Sequence, residues 1–292
     1  MNDKNPSVSV IIPSMDGSRD GMLPALKRQL EEQTLQDYEL IVKVGDNRQG
    51  RAINNGAKEA RGRYLVVMDD DIVLGRNDVL EKLVSAMDAD PRIGMGGASL
   101  SVWEKANWLQ KRVMIEVPRY TSPVVDQVTE SDLACHGCCI FRKEVFFQVG
   151  AEREDIIRGL DPDLRMRLRR AGYTVVLVPQ TWFYHLPPAR FGAFLKKCYR
   201  NGKGSSYIQI HRPELIYETH TGKGKFVEKR SFVYRICRYP LRLADNLLHG
   251  RFIAWIGEVA YAAGFVHGYI SYARQKNAPS EKNTERTDTR TF

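Results

Sequence analysis

Residues 64–74 read YLVVMDDDIVL. An apolar, β-favouring run ends in three aspartates, Asp69, Asp70 and Asp71, and apolar residues then resume. Adjacent carboxylates at the end of a buried strand repel one another unless something positive answers them. A hard divalent cation takes oxygen ligands and suits such a cluster. In extended backbone, residues two apart point to one side. Asp69 and Asp71 can therefore address one metal ion, or a metal-bound diphosphate, while Asp70 faces away. Without a cation the same run is a solvated acidic turn, and its place at the end of a buried strand argues for the ligand.

The elements that must position these acids show in the alternation of the first half. VSVIIP (8–13) reads as a strand ending at Pro13, residues 22–33 have helical spacing through Leu23, Leu26 and Leu30, and YELIVKV (38–44) reads as a second strand. Residues 51–60 predict a helix, YLVVM (64–68) a third strand, and 78–89 an amphipathic helix through Val79, Leu80, Leu83, Val84 and Met87. Strands alternating with helices at this spacing predict βαβ units, a parallel sheet and an α/β fold. Such sheets bind ligands beyond the carboxyl ends of their strands. Pro13 and Ser14, Gly45 and Asp46, and the three aspartates all fall at such ends and describe one crevice. From 95 to 150 the pattern is less regular, with a strand edge and a short helix over 140–149. DLRMRLRRA (163–171) predicts a helix stopped by Gly172, and YTVVLVP (173–179) a strand closed by Pro179.

The chain has 292 residues, 43% hydrophobic and 27% charged, enough for a sizeable core in one large domain or a domain with an appendage. Its five cysteines are an odd number in a long chain, which argues against a disulfide scaffold. CHGCC (135–139) lacks the second pair that a zinc site wants, so buried reduced thiols are expected. MNDKNPSVSV has neither a basic nor an apolar signal segment, so a cytoplasmic chain is expected. Residues 1–185 carry 25 Lys and Arg against 27 Asp and Glu, whereas 186–292 carry 19 against 8. The net charge of +9 thus lies wholly in the last third. A basic end serves nucleic acid, anionic lipid or a phosphorylated substrate.

After HLPP (185–188) the character becomes basic, aromatic and helical, which places a domain boundary at 188. In FIAWIGEVAYAAGFVHGYISYA (252–273), Ala260, Gly264 and Gly268 form a small-residue stripe against which another helix can approach closely. With the basic, amphipathic RICRYPLRLADNLL (235–248), it suits a helical pair at a membrane interface or a hairpin packed on the preceding domain. The tail from 276 has almost no apolar content and reads as disordered.

Taken in order, these segments resemble the inverting family 2 glycosyltransferases with the nucleotide-sugar-binding GT-A fold. VSVIIPS (8–14) looks like the family's opening strand, YELIVKVGDN (38–47) like its second strand, and GRAINNGAKEARGRYLVVMDDD (50–71) like the helix and strand leading to its metal-binding DxD motif. GCCIFRKEVFFQVG (137–150) resembles the acceptor-side segment, and GLDPDLRMRLRRAGYTVVLVP (159–179) the segment carrying the catalytic base. The resemblance covers roughly residues 7–185. It implies a GT-A catalytic domain over 1–188, a mixed and mainly parallel sheet flanked by helices, with a C-terminal helical extension over 189–275.

The resemblance also implies roles. Pro13, Ser14, Asp46, Gly50, Asn54, Asp69 and Asp70 are expected around the nucleotide sugar, and Asp69, Asp71 and His185 around a divalent cation, Mn2+ or Mg2+. Asp161 matches the catalytic base, although Leu160 stands where the family carries Glu; Asp163 is the second candidate, with a helix cap as its structural alternative. Gly50 and Gly56 are expected to permit close backbone approach. The implied donor is a nucleotide sugar, a UDP-sugar foremost. From the basic, aromatic C-terminal third, the expected acceptor is a cell-envelope glycan or a lipid-linked saccharide at the inner face of the membrane, with peripheral membrane contact and no nucleic acid. Two other readings share the carboxylates or the basic end. A nucleotidyltransferase would want a glycine- and lysine-rich phosphate loop after the first strand, and SMDGSRDG (14–21) falls short of one. A non-catalytic binder of an anionic polymer would use the basic and aromatic residues of 199–212.

Overall fold

The computed structural model describes residues 5–156, 158–216, 224–226 and 231–277. The alternation of the first half appears as β1 (Val8–Ser14), α1 (Met22–Glu31), β2 (Tyr38–Val44), α2 (Gln49–Glu59), β3 (Tyr64–Met68), β4 (Ile72–Leu74) and α3 (Val79–Ala89). Next come β5 (Ile93–Leu100), α4 (Trp108–Glu116), β6 (Thr129–Glu130), β7 (Cys138–Arg142), α5 (Lys143–Gln148), α6 (Leu160–Arg170) and β8 (Thr174–His185). The C-terminal helices are α7 (Phe191–His211), α8 (Phe232–Leu248) and α9 (Phe252–Asn277).

The sheet order is β2-β1-β3-β7-β5-β8-β4, with β6 beside β8. β1, β2, β3, β5 and β8 run one way and β4, β6 and β7 the other, so the sheet is mixed and mainly parallel. Alternate residues of each strand feed opposite layers. Val10, Ile12, Val66 and Met68 pack with Leu23, Leu26 and Leu30 of α1 and Leu80 and Leu83 of α3. Ile11, Leu65 and Val67 pack on the other face with Ile53 of α2, Phe146 of α5 and Leu164 and Leu168 of α6.

Two elements depart from the sequence expectation, and both bear on the site. β5 occupies the irregular stretch because Gly94, Gly96 and Gly97 dilute its apolar pattern. A Cβ on Gly97 would stand 2.7 Å from the Ala134 backbone, so the close approach of the 133–137 segment requires that glycine. The strand expected to close at Pro179 instead continues to His185. Its register against β5 shifts between Gly97 and Ser99, and Pro179 sits in that irregular stretch, where a missing N–H costs no ladder bond. Gln180 takes a φ of 51° there and donates its N–H to the Val125 carbonyl at 3.0 Å. The extension lets β8 pair with β4, setting Ile72 opposite His185.

The C-terminal helices pack on α4, through Phe194 and Ile253 against Leu109 and Val113, and on the 156–160 segment, through Ile208 against Ile156 and Leu160. A Cβ on Gly202 of α7 would run into the Tyr261 carbonyl of α9, and one on Gly264 into the Tyr199 carbonyl, so the small-residue stripe closes a helix pair within the chain. Glu116, 4% exposed, accepts from the N–H groups of Ile253 (2.8 Å) and Ala254 (3.1 Å), two orphan donors of the α9 N-terminus. α9 thus packs chiefly on α7 and not in the expected pair of 235–248 with 252–273, while α8 keeps Val233, Ile236, Leu241 and Leu248 exposed. No helix among the described residues is long and apolar enough to cross a membrane. The expected disordered tail lies outside the described residues from 278 onward; 276 and 277 still belong to α9. All five cysteines are free thiols.

Candidate active site

A cavity of about 710 Å³ opens beyond the carboxyl ends of β1, β2 and β3. Pro13, Ser14, Asp46, Asp69 and Asp71 line it, as their strand-end positions predict; His185, expected there by resemblance, lines it too, and so does Asp70, which the alternation of extended backbone had turned away. Ligand atoms of Asp69, Asp71 and His185 lie within 4.8 Å of one another. The turn after β3 brings the two aspartates to one side, and the β4–β8 register carries His185 Nε2 to 3.2 Å from Asp71 Oδ1. Burial pushes the Asp69 carboxyl up, and the Asp71 charge pushes it further. Burial acts the same way on Asp71, but His185 and Arg19 outweigh it and hold that carboxyl well below the ordinary range. Two oxygen donors and one imidazole, with one acid strained by burial and by its neighbour, fit a borderline-to-hard divalent cation such as Mn2+ or Mg2+.

The sequence reading missed the cations of this cavity. Arg19 donates to Asp71 Oδ2 at 2.6 Å and stands 3.5 Å from Asp70 Oδ1, so the buried Asp70 has a partner of its own. Lys196, Lys197 and Arg200 reach the same cavity from α7. Their only sequence signal is spacing: FLKKCYR puts three cations on about one helical turn. Gln49 donates to Asp69 Oδ1 at 2.9 Å. Asp46 is held by both arms of Arg51, at 2.7 and 2.8 Å.

Gly50 and Asn54 do not reach the cavity. A Cβ on Gly50 would strike the Arg153 carbonyl, so the close approach there belongs to the protein's own backbone. Asn54 is buried, donates to the Glu152 carbonyl and accepts from the Glu152 N–H, both at 2.9 Å, and clamps α2 to the 152–154 segment. Gly56 likewise serves packing, against Ile11 of β1. Asp163 is fully buried between Arg153 (3.1 Å) and Arg167 (2.8 Å), inside α6 rather than capping it. This structural ion pair removes it as the second candidate base.

Asp161 lies in the first turn of α6 and lines a second cavity of about 500 Å³. The 135–137 segment links the two sites. The Asp69 N–H donates to the Gly137 carbonyl at 3.3 Å, the His136 N–H donates to Asp161 Oδ1 at 2.7 Å, and the Cys135 thiol feels both carboxylates. Asp69 and Asp161 thus bond to neighbouring residues of one short segment, and the two cavities adjoin across it.

His136 sits between two acids, with Nδ1 3.0 Å from Asp161 and Nε2 2.7 Å from the buried Glu152. Burial disfavours its cation, yet Asp161 and Glu152 prevail and raise it well above an ordinary histidine. Burial would raise Asp161, but the imidazolium and Arg165 hold it well below the carboxylate range, so it stands ionised. In the sequence, CHGCC drew attention to its cysteines, and the histidine inside it had no visible partner.

The sign of the pH effect follows. A histidine raised in the folded state contributes stability fully below the unfolded value of about 6.5, and loses it as pH rises through the folded value. His136→Gln leaves two acids without their cation and is expected to cost about 3 kcal/mol at pH 6. Urea unfolding at pH 6 and pH 9 should show the gap from wild type narrowing at the higher pH; an equal gap would refute a charged His136.

Comparisons place this geometry among known proteins. Residues 6–150 match the sequence profile described as Glycosyl transferase family 2. A comparison with curated protein sequences gave no match. Among solved structures, the chain is similar to the mannosyltransferase PcManGT from Pyrobaculum calidifontis, solved with GDP-Man and Mn2+, with a TM-score of 0.57 and 13% identity over 91% of this chain and 88% of that one. It is also similar to S. aureus TarS 1–349, with a TM-score of 0.47 and 10% identity over 92% of each chain. The first likeness concerns the fold. With the profile match across β1 to α5 and the acids gathered at the strand ends, residues 6–150 form a glycosyl transferase family 2 domain and the chain is a glycosyltransferase.

Proposed function

We propose that this glycosyltransferase is metal-dependent and inverting. It transfers a sugar from a nucleoside diphosphate sugar to a hydroxyl of a cell-envelope glycan or lipid-linked acceptor. The observation that carries the reading is the Asp69–Asp71–His185 cluster in one cavity with the ionised Asp161 in the adjoining one. The catalytic part is 1–188, and 189–275 is an extension that lends cations to the donor cavity. Asp46 faces the nucleotide, and Lys197 and Arg200 face the diphosphate. A Mn2+ or Mg2+ ion held by Asp69, Asp71 and His185 supplies charge neutralisation to the departing diphosphate. GDP-Man and Mn2+ in the similar mannosyltransferase are a donor and an ion of the same chemical classes.

Asp161 accepts the proton of the acceptor hydroxyl while its oxygen bonds to the anomeric carbon; the bond from that carbon to the diphosphate breaks, and the electron pair leaves with the diphosphate. A depressed carboxylate is ionised at neutral pH but weakly basic, so proton transfer accompanies bond formation, when the hydroxyl has become acidic. The test is a panel of UDP- and GDP-sugars with Mn2+ or Mg2+. At least one is expected to raise the melting temperature and to be hydrolysed or transferred only with metal. No shift and no turnover with any of them would overturn the reading.

Membrane contact belongs to the same proposal. α8 carries exposed Val233, Ile236, Leu241 and Leu248 with the exposed Arg238 among them, a surface suited to the inner leaflet. Basic residues near an anionic leaflet contribute about 1 kcal/mol each. The full chain is expected to sediment with phosphatidylglycerol vesicles at low salt, and Leu241→Glu with Leu248→Glu to release it; equal sedimentation of both proteins would count against the contact.

A further inference from the structure

The second cavity has a charge that the described residues leave unanswered. Four guanidinium groups line it, those of Arg119, Arg158, Arg165 and Arg235, against the single lining carboxylate of Asp161. Asp161 is already engaged by His136. Arg119 is committed to Asp132, through its carboxylate at 2.8 Å and its carbonyl at 2.6 Å. The other three make no ion pair among the described residues, although Arg165 lies near enough to Asp161 to feel its charge. Arg165 is 2% exposed and donates to the Ala134 carbonyl, and its Nε has no partner. Arg235 reaches only the neutral Gln209, at 2.7 Å, and its buried Nε is also unpartnered. Arg158 makes no ion pair or hydrogen bond among the described residues.

Buried donors left without acceptors are costly, and a guanidinium fork matches phosphate and carboxylate oxygens two at a time. Polar Thr121, Ser122, Ser205 and Gln209 share the rest of the lining with an apolar wall of Ile208, Leu215, Tyr261 and Phe265. We propose that this cavity binds an anionic acceptor, whose phosphate or carboxylate group is held by Arg158, Arg165 and Arg235 while its hydroxyl lies at Asp161 and its body rests on the apolar wall. The role as acceptor rests on the transferase reading above; the anion site stands on the arginines alone.

The test is calorimetric titration, in metal-free buffer, of inorganic phosphate, octyl phosphate, octyl glucuronide and the neutral octyl glucoside. Wild type is expected to bind octyl phosphate or octyl glucuronide at least tenfold more tightly than octyl glucoside. The double variant Arg158→Gln, Arg235→Gln should bring the anions to within twofold of the glucoside, and Asp71→Asn should keep the preference. Arg158 and Arg235 are both partly exposed, so a melting temperature within about 2 °C of wild type is expected for the pair and checks folding. Octyl phosphate binding tenfold more tightly than inorganic phosphate assigns a lipid-linked source, and equal binding a soluble phosphorylated one. Glucoside binding as tightly as the anions, or an unchanged anion affinity in the double variant, would overturn the proposal. Failure of the transferase reading is read separately: nucleoside diphosphate with Mn2+ would then leave the melting temperature unmoved while anion binding persists.

Discussion

Asp161→Asn is expected to lower sugar transfer by about 10²–10⁴, the usual worth of a positioned proton acceptor, and to leave donor binding untouched. The amide keeps the size of the carboxylate and still offers an oxygen to the His136 N–H, but it cannot take a proton. Asp46 and the Asp69–Asp71–His185 cluster line the other cavity. The melting shift caused by nucleoside diphosphate with metal should therefore match wild type. Transfer at more than about a tenth of the wild-type rate would remove Asp161 from the base role.

Asp71→Ala should show the opposite pattern. The residue stands between His185 and Arg19, and it is the cluster acid whose charge is best sustained. Its loss leaves Asp69 and His185 as an incomplete set, so stabilisation by nucleoside diphosphate with Mn2+ should disappear. Turnover should fall by about 10³, the equivalent of several kcal/mol of charge stabilisation on the leaving group. Arg19 retains Asp70 as a partner, so the fold without ligand should persist. A metal-dependent melting shift of wild-type size in this variant would sink the cation site. The pH dependence has a definite direction as well. The raised Asp69 takes up a proton first on acidification, so the wild-type shift should fade as pH falls.

Residues 8–89 made the acid-lined crevice at the strand ends legible in the sequence. Period-two and helical spacings are local properties, and each strand's end is marked by a change from apolar to polar residues, so Ser14, Asp46 and the aspartates could be gathered at one edge from chain order alone. His185 was placed near them by resemblance, but the reason it arrives there is tertiary: β8 runs through Pro179 by slipping register against β5, and only that slip pairs it with β4.

The remainder depended on contacts between residues far apart in the chain, which spacing does not encode. Asn54 and Gly50 have the residue types of a ligand site, yet the 152–154 segment packs over them and takes their hydrogen bonds and their space. Asp163 and Asp161 differ by two positions on one helix, so one turns into a buried arginine pair and the other into a cavity. The His136 bridge joins positions 136, 152 and 161, and the arginine-lined pocket draws on 119, 158, 165 and 235. The sequence by itself determined the order of the elements and the chemistry at the strand ends, because both follow from neighbours in the chain. The tertiary structure decided which acids are ionised, which are spent on packing and which cations face them, because burial and charge pairing exist only once distant segments meet.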